Sequence, residues 1–205
     1  MPTVYSVKPA FVRLLSPAID LCARRGVTPN ALTGLALALS LAGGVALLLA
    51  PASQAALVAV ALLLLVRMAL NAMDGALARK TGQSSRGGEV FNEASDVVAD
   101  AALYAPLVLV TSAPAALVFA FVLFSGWTEL AGVLPRVTGG PRRYDGPLGK
   151  SDRALVVGLL LVSLALGAPH DDWETWLLAL LSLLLLATCA RRLGNGLAAP
   201  AGSAP

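Results

Sequence analysis

The chain has 205 residues, of which 57% are hydrophobic and only 13% are charged. Soluble domains carry about 25% charged residues, so this composition excludes an ordinary soluble domain and indicates a protein that has lipid as its solvent. The formal net charge is only +3, and we expect no nucleic-acid partner.

The first 29 residues predict an amphipathic juxtamembrane segment. Apolar residues alternate there with charged ones, a pattern typical of a helix that lies on the inner surface of a membrane. The apolar members are Phe11, Leu14, Leu15, Ile19 and Leu21, and the charged ones are Lys8, Arg13, Asp20 and Arg24. A soluble leading segment is the alternative.

Six apolar runs follow, each about 17 to 25 residues long or slightly shorter, and each is read as a membrane span. They lie at 30–49, 55–75, 90–110, 114–134, 153–168 and 173–190. Backbone groups in hydrocarbon must bond within their own segment, so all six are predicted to be helices. Thr28 is the expected N-cap of the first, and Pro29 takes its first position. The fold class is therefore all-α and polytopic, with a six-helix domain at 30–192 and a disordered tail at 193–205.

Basic residues are distributed unevenly between the two sides of this predicted bundle. Fourteen of the fifteen Lys and Arg residues lie on one side of the bundle, whereas the opposite loops "PASQ", "TSAP" and "GAPHDDWE" contain none. The positive-inside bias makes the basic side cytoplasmic, with both termini there. We therefore expect a multi-pass protein of the plasma membrane, which in bacteria is the inner membrane.

Polar side chains concentrate between the second and third spans, in "NAMDGALARKTGQSSRGGEVFNEASDVVAD". Asn71 and Asp74 share one helical face, and Asn92 and Asp96 share a face of the next helix, because residues three and four apart are neighbours. We expect the two helices to be antiparallel neighbours whose polar faces meet near the cytoplasmic surface. Ionisable residues are costly inside a membrane, so this cluster predicts a functional site, and a purely structural polar seam is the alternative.

The residue types in this cluster point to a hard cation and a phosphate ligand. Aspartate and asparagine oxygens suit magnesium, manganese or calcium. Gly75 and Ala78 leave the helix surface bare beside Asp74, and Arg79 and Lys80 add positive charge. Together they indicate a phosphoryl-transfer site.

Residues 71 to 96 read N-x2-D-G-x2-A-R-x8-G-x3-N-x3-D. This pattern resembles the signature of the CDP-alcohol phosphotransferases, matching six of its eight fixed positions. Those enzymes have six membrane helices and move a phosphatidyl-type group from a CDP-linked donor to an alcohol. Asn71 and Asn92 depart from the signature, which has aspartate at both positions, so the chain resembles an asparagine-containing subgroup.

The resemblance implies a role for each matching position. Asp96 would be the catalytic base that takes the proton of the attacking hydroxyl while cytidine monophosphate (CMP) leaves. The implied ligands of Mg²⁺ or Mn²⁺ are Asn71, Asp74, Asn92 and Asp96. The implied nucleotide-binding residues are Asn30, in "TPNALT", with Gly75, Ala78, Arg79 and Gly88. Arg143, Lys150 and Arg153, in and before "GKSDR", would bind a phosphate or the acceptor, with a positive-inside anchor as the alternative.

The two asparagines remove two negative charges from the implied metal site. We expect this site to bind a pair of divalent ions more weakly than an all-aspartate site would. One or two ions would be bound, and Glu89 or Glu93 is expected to restore the missing negative charge. Arg67 and Asp100 are predicted to form a structural ion pair beneath the site, because either alone would be penalised in a membrane. Asp100 as a metal ligand is the alternative.

The sequence therefore predicts a metal-dependent transferase of phospholipid biosynthesis. Its expected donor is of the CDP-diacylglycerol type, and its acceptor is a small alcohol such as glycerol phosphate, inositol phosphate or serine. A catalytically weakened CDP-lipid-binding relative and a small cation transporter are the alternatives, although transporters place their sites at the midplane and show repeats. Gly43 and Gly44 allow close helix packing, either within the chain or in a homodimer.

Overall fold

The computed structural model describes residues 10–198, and the regular structure within that range is helical. Residues 10–14 form a short helical segment ahead of the main helices. These are α1 (Ser16–Arg24), α2 (Pro29–Leu49), α3 (Gln54–Thr81), α4 (Arg86–Tyr104), α5 (Leu107–Val110), α6 (Ala115–Val133), α7 (Lys150–Ala165) and α8 (Asp172–Ala198). A 3-10 helix, Leu134–Thr138, follows α6.

Hydroxyl caps begin the first three long helices. The Thr28 side chain accepts a hydrogen bond from the Ala31 amide at 3.2 Å, as the sequence predicts for α2. Ser53 and Ser85 cap α3 and α4 in the same way. Each cap satisfies an amide that has no partner within its helix, so these helix starts are encoded locally.

The helices α3 and α4 are joined by a short turn but do not pack closely along their lengths, contrary to the expectation of direct neighbours. Both pack on α2, while α7 packs on α3 and α6 packs on α4 and α8. Gly44 permits the close contact between α2 and α4, because a Cβ atom there would overlap the carbonyl oxygen of Ala102. The glycine pair thus serves packing within the chain, and α3 and α4 keep a gap between them.

One apolar core holds the bundle together at its middle. Leucines from five helices are fully buried in it: Leu47, Leu64, Leu103, Leu161 and Leu185. Since lipid tails are as apolar as leucine, close van der Waals packing rather than the exclusion of water stabilises this core. This core lies beneath the polar end of α3 and α4 and gives their functional side chains a rigid base.

Within residues 10–198, four helices are long and apolar enough to cross a membrane: Pro29–Leu49, Gln54–Thr81, Ala115–Thr138 and Asp172–Ala198. The other two predicted spans differ for physical reasons. α4 carries four acidic residues, and the helical run predicted at 90–110 is interrupted after Tyr104, ahead of Pro106. α7 has 16 residues, which span only about 24 Å.

The two ends of the chain depart from the sequence-based expectation. Ile19 of α1 is buried against Leu32, Met73 and Leu77, so this helix packs on the bundle through one face. α8 continues to Ala198, beyond the predicted boundary at 192, because tertiary contacts hold its last turns. Residues 1–9, with Lys8, and 199–205 of the predicted tail lie outside the described part of the chain.

Candidate active site

A cavity of about 600 Å³ occupies the gap between α3 and α4. Its walls also include the first turn of α2 and the loop that leads into α7. Asn71 and Asp74 reach it from α3, and Asn92 and Asp96 reach it from α4. The four polar motif positions therefore share one cavity, as helical periodicity predicts.

Asp74 is 3% exposed and is held by three hydrogen bonds. Its Oδ2 atom accepts from Thr33 Oγ1 and from Asn92 Nδ2, both at 2.8 Å. Its Oδ1 atom accepts from the amide of Gly75 at 2.5 Å. The carboxylate is thus fixed against both α2 and α4, although it belongs to α3.

Asp96 has the reciprocal arrangement on α4. Its Oδ1 atom accepts from Asn71 Nδ2 at 3.2 Å, and the ammonium of Lys150 forms an ion pair with Oδ2. Arg67 lies 3.5 Å from the same carboxylate. Each asparagine therefore donates a hydrogen bond to the aspartate of the opposite helix.

Beneath this layer lies a buried ion network. Arg67 donates to Asp100 Oδ1 at 2.5 Å, the pairing expected from the sequence. Arg153 donates to Asp100 Oδ2, to Glu129 and to Thr128, each at 2.8 Å. Both oxygens of Asp100 are occupied by guanidinium groups, so the structure gives no support to Asp100 as a metal ligand.

Arg142 forms the wall opposite α3. It pairs with Glu93 and, at 3.4 Å, with Glu129, and its guanidinium stacks 4.5 Å from the ring centre of Tyr144. Burial would lower the pKa of Arg142, but Glu93, Tyr144 and Glu129 outweigh it and raise the pKa above its usual value. This arginine is a cation paired with two carboxylates, and its buried Nε atom has no hydrogen-bond partner among the described residues.

Glu89 and Glu93 line the cavity but do not face the two asparagines whose missing charge they were expected to restore. Glu89 pairs with Arg136 at 2.8 Å on the exposed rim, and Glu93 pairs with Arg142. Both acids sit one helical turn or less from Asn92, yet the arginines of the following loop reach them first. In this structure both glutamates therefore balance arginine charge and do not replace the negative charge that Asn71 and Asn92 lack.

All five residues implied in nucleotide binding line the cavity: Asn30, Gly75, Ala78, Arg79 and Gly88. A Cβ atom on Gly88 would lie 3.0 Å from Asn30 Oδ1, so a side chain at this position would crowd the wall. Among residues 10–198, Arg79 forms no ion pair or hydrogen bond through its guanidinium. It is therefore the cation at this end of the cavity that is available to a phosphate.

The three residues expected at an acceptor phosphate are placed differently from one another. Lys150 lines the cavity, whereas Arg153 is fully buried in the ion network. Arg143 turns away to Asp145 at 2.8 Å. Burial would raise the pKa of Asp145, but hydrogen bonds from Asn195 and Arg143 outweigh it and hold the pKa below its usual range. Arg143 and Arg153 therefore act as structural cations in this structure.

Sequence reasoning missed three groups of the site. Thr33, which binds Asp74, had one available signal, a hydroxyl in the first turns of an otherwise apolar helix. Arg142 lies in a loop with no periodicity, so nothing in the sequence places it. Arg192 at the end of α8 donates to the carbonyl oxygens of Thr128 and Asp145, a contact that depends on the loop path.

The donor set at the motif fits one hard cation. Among residues 10–198, no three His, Cys, Asp or Glu side chains lie together as a metal-binding group. A cation held there would draw on the amide oxygens of Asn71 and Asn92 beside Asp74 and Asp96, and hard divalent ions accept such ligands. Two carboxylates balance the charge of one such ion, and the nearby Glu93 is already neutralised by Arg142.

Comparison with known proteins agrees with this geometry. Residues 26–186 match the CDP-alcohol phosphatidyltransferase family. The chain belongs to this family. Membership accounts for the apolar helices and for the shared motif cavity, and it removes the reason to retain a cation transporter as an alternative.

Two relatives align over most of the chain. Inner membrane protein YnbA of Escherichia coli K12 is 40% identical over 190 residues, covering 93% of this chain and 94% of YnbA. Phosphatidylinositol phosphate synthase of Corynebacterium glutamicum is 32% identical over 179 residues, covering 84% and 80% of the two chains.

Solved structures share the fold. Phosphatidylinositol phosphate synthase of Mycobacterium tuberculosis with CDP-DAG bound superposes with a TM-score of 0.73 at 23% identity, covering 94% of this chain and 98% of that one. A structure of the same protein with manganese and citrate gives a TM-score of 0.72 at 23% identity and covers 92% and 91%. At this identity, the likeness shows the helical fold alone.

Proposed function

We propose that this protein transfers a phosphatidyl group from CDP-diacylglycerol, or a similar CDP-linked lipid, to a small alcohol in phospholipid biosynthesis. One observation carries the proposal: Asp74 and Asp96, from two separated helices, line one cavity and are held there by each other's asparagine neighbours. This arrangement supports a proposal in which a base and a phosphate-binding region lie side by side.

The donor diphosphate is proposed to lie between Gly75, Gly88 and Arg79. The two glycines leave the backbone accessible, and the free guanidinium of Arg79 supplies a charge-assisted contact to phosphate oxygens. The mycobacterial enzyme of the same fold was solved with a CDP-lipid, which supports this donor class.

Asp96 is proposed as the general base. As the acceptor hydroxyl forms its bond to the phosphatidyl phosphorus, its proton passes to Asp96. The bond from that phosphorus to the bridging diphosphate oxygen breaks, and CMP leaves with the electron pair. Lys150 and Asn71 hold the Asp96 carboxylate at the cavity wall, which orients the base before the alcohol arrives.

We propose that Asn71, Asp74, Asn92 and Asp96 hold one Mg²⁺ or Mn²⁺ ion. When bound, it would supply positive charge against the diphosphate and ease departure of the leaving group. Both amides donate N–H groups to carboxylates, so each must turn its oxygen inward to serve as a ligand. A manganese complex of the mycobacterial structure supports this cofactor class.

We further propose a bacterial inner-membrane protein with six spans, both termini cytoplasmic, and a homodimer as its assembly. The α4 and α7 helices complete the six by standing within the bundle, where their charged ends face the cavity. The name of the E. coli relative supports this location. The basic loops lie at the cavity end, as positive-inside orientation requires.

A second candidate is a weakened relative that binds the CDP-lipid with little turnover. It is favoured by the amide hydrogen bonds that already satisfy Asp74 and Asp96. In this case the asparagine amides stay hydrogen-bonded to the two aspartates, and these carboxylates bind no metal ion.

The test is CMP release from CDP-diacylglycerol by the purified protein in proteoliposomes, with Mn²⁺ and a panel of alcohols. We expect release with wild type and a loss of about 100-fold or more in Asp96→Asn, the effect of removing a general base. Asp20→Asn is the matched control, because Asp20 is exposed and pairs with Lys80 outside the cavity. CDP-lipid binding without release from wild type identifies the weakened relative, and full activity in Asp96→Asn refutes the assigned base.

A further inference from the structure

The residues that line the cavity carry opposite charges in equal number. The basic ones are Arg67, Arg79, Arg136, Arg142, Lys150 and Arg192. The acidic ones are Asp74, Glu89, Glu93, Asp96, Glu129 and Asp152. Their formal charges cancel, so the cavity as a whole does not present a surplus of positive charge to anionic substrates.

The distribution within the cavity is more informative than the sum. Among the arginines of residues 10–198 that line the cavity, Arg79, next to the proposed diphosphate region, forms no ion pair or hydrogen bond through its guanidinium. On the opposite wall, Arg142 is bound by Glu93 and Glu129, and Arg136 is bound by Glu89. Positive charge is thus free on the donor side and neutralised around Arg142 and Lys150, the wall near which the family resemblance places the acceptor and which we therefore call the acceptor side.

The arginines behind this wall are equally engaged. Arg153 is fully buried between Asp100 and Glu129, and Arg143 is paired with Asp145. Arg192 is 3% exposed, and backbone carbonyl oxygens hold its guanidinium. Lys150 is the remaining cation on this side, and Asp96 binds its ammonium.

A phosphate monoester on this wall would add negative charge beside arginines whose own charge is already balanced by buried carboxylates, although the Nε atoms of Arg142 and Arg153 have no hydrogen-bond partner among the described residues. The added charge would have no counter-ion unless an arginine left its acid, and an uncompensated buried charge is strongly unfavourable in a low-dielectric site. An anionic acceptor would also approach the side chains of Glu93 and Glu129 directly. An alcohol without a phosphate meets neither penalty and can hydrogen-bond to the paired groups as they stand.

We propose that the acceptor of this enzyme is an alcohol that carries no phosphate group. The inference rests on the proposed transferase function and narrows its acceptor to phosphate-free alcohols such as glycerol, inositol or serine. The ion pairs of Arg142 determine this acceptor specificity, because Glu93 and Glu129 balance the charge of the guanidinium that would otherwise attract a phosphate.

The test compares matched acceptors in the same proteoliposomes, with CDP-diacylglycerol and Mn²⁺. Glycerol is set against glycerol 3-phosphate, and inositol against inositol 3-phosphate, with serine as a further phosphate-free acceptor. We expect kcat/KM to be about tenfold or more higher for the better phosphate-free alcohol than for its phosphorylated counterpart. A preference for either phosphate monoester overturns the proposal, whereas no CMP release with any acceptor refutes the transferase function itself.

A variant tests the device directly. Glu93→Gln removes one carboxylate from Arg142 and keeps the side-chain shape. We therefore expect kcat/KM for the phosphorylated acceptor to rise several-fold relative to kcat/KM for the matching phosphate-free alcohol. Asp20→Asn, outside the cavity, is the control and should leave the ratio unchanged. An unchanged ratio in folded Glu93→Gln, checked by gel filtration, refutes the pairing of Arg142 as the cause of specificity.

Discussion

Replacing Asp100 by asparagine tests whether the buried network is structural. Asp100 is 2% exposed and is the shared carboxylate of two buried arginines, at 2.5 Å from Arg67 and 2.8 Å from Arg153. Removing one member of a buried ion pair costs about 3–5 kcal/mol. Arg153 retains Glu129 and Arg67 retains a 3.5 Å contact with Asp96, so we expect a loss at the lower end of this range. For a chain of this size, that loss lowers Tm by about 10 °C.

The assay is thermal unfolding of Asp100→Asn in detergent, followed by size-exclusion recovery, together with Mn²⁺ affinity measured at a temperature where the variant is folded. We expect a lower Tm and unchanged Mn²⁺ affinity. Asp20→Asn is the control, since its exposed ion pair with Lys80 contributes little. A variant with wild-type Tm and weakened Mn²⁺ binding would show that Asp100 is a ligand, and the structural reading would be wrong.

Two further changes test the site and the packing. Asn71→Asp and Asn92→Asp each add a carboxylate to the motif, so the Mn²⁺ concentration for half-maximal CMP release should fall, and an unchanged or raised requirement contradicts the ligand assignment. Gly44→Ala places a Cβ against the Ala102 carbonyl and should cost about 1–3 kcal/mol of unfolding free energy. Gly126→Ala, with ordinary contact at 3.6 Å, should be near neutral, and equal losses would contradict the close-approach argument.

Local chemistry accounts for much that was predictable. Thr28 caps α2 and is followed by a proline at the first helical position. This helix start was predictable because the residues that specify it lie within four positions of each other. The spacing of Asn71 from Asp74, and of Asn92 from Asp96, puts each pair on one helical face regardless of how the helices pack. The Arg67–Asp100 pair was predictable for a different reason, because an unpaired charge inside a membrane is costly and requires a partner.

Contacts between distant segments were not predictable in this way. Nothing near Arg142 in the sequence shows that this loop residue reaches Glu93 on α4. Likewise, nothing near Asn195 shows that its side chain binds Asp145 in the part of α8 that lies beyond the predicted end. Arg153 was expected to bind a phosphate or the acceptor because "GKSDR" lies where the resembled family places basic residues for that purpose. Packing of α7 on α3 instead buries it against Asp100 and Glu129.

The amino-acid sequence by itself determined the helices, the family signature and the faces on which the motif side chains lie, because these depend on periodicity and capping within a few residues. Only the tertiary structure decided that α3 and α4 stand apart on α2 and leave a cavity between them. It also decided which acid each cation neutralises, because ion pairing depends on through-space distances that the folded chain alone sets.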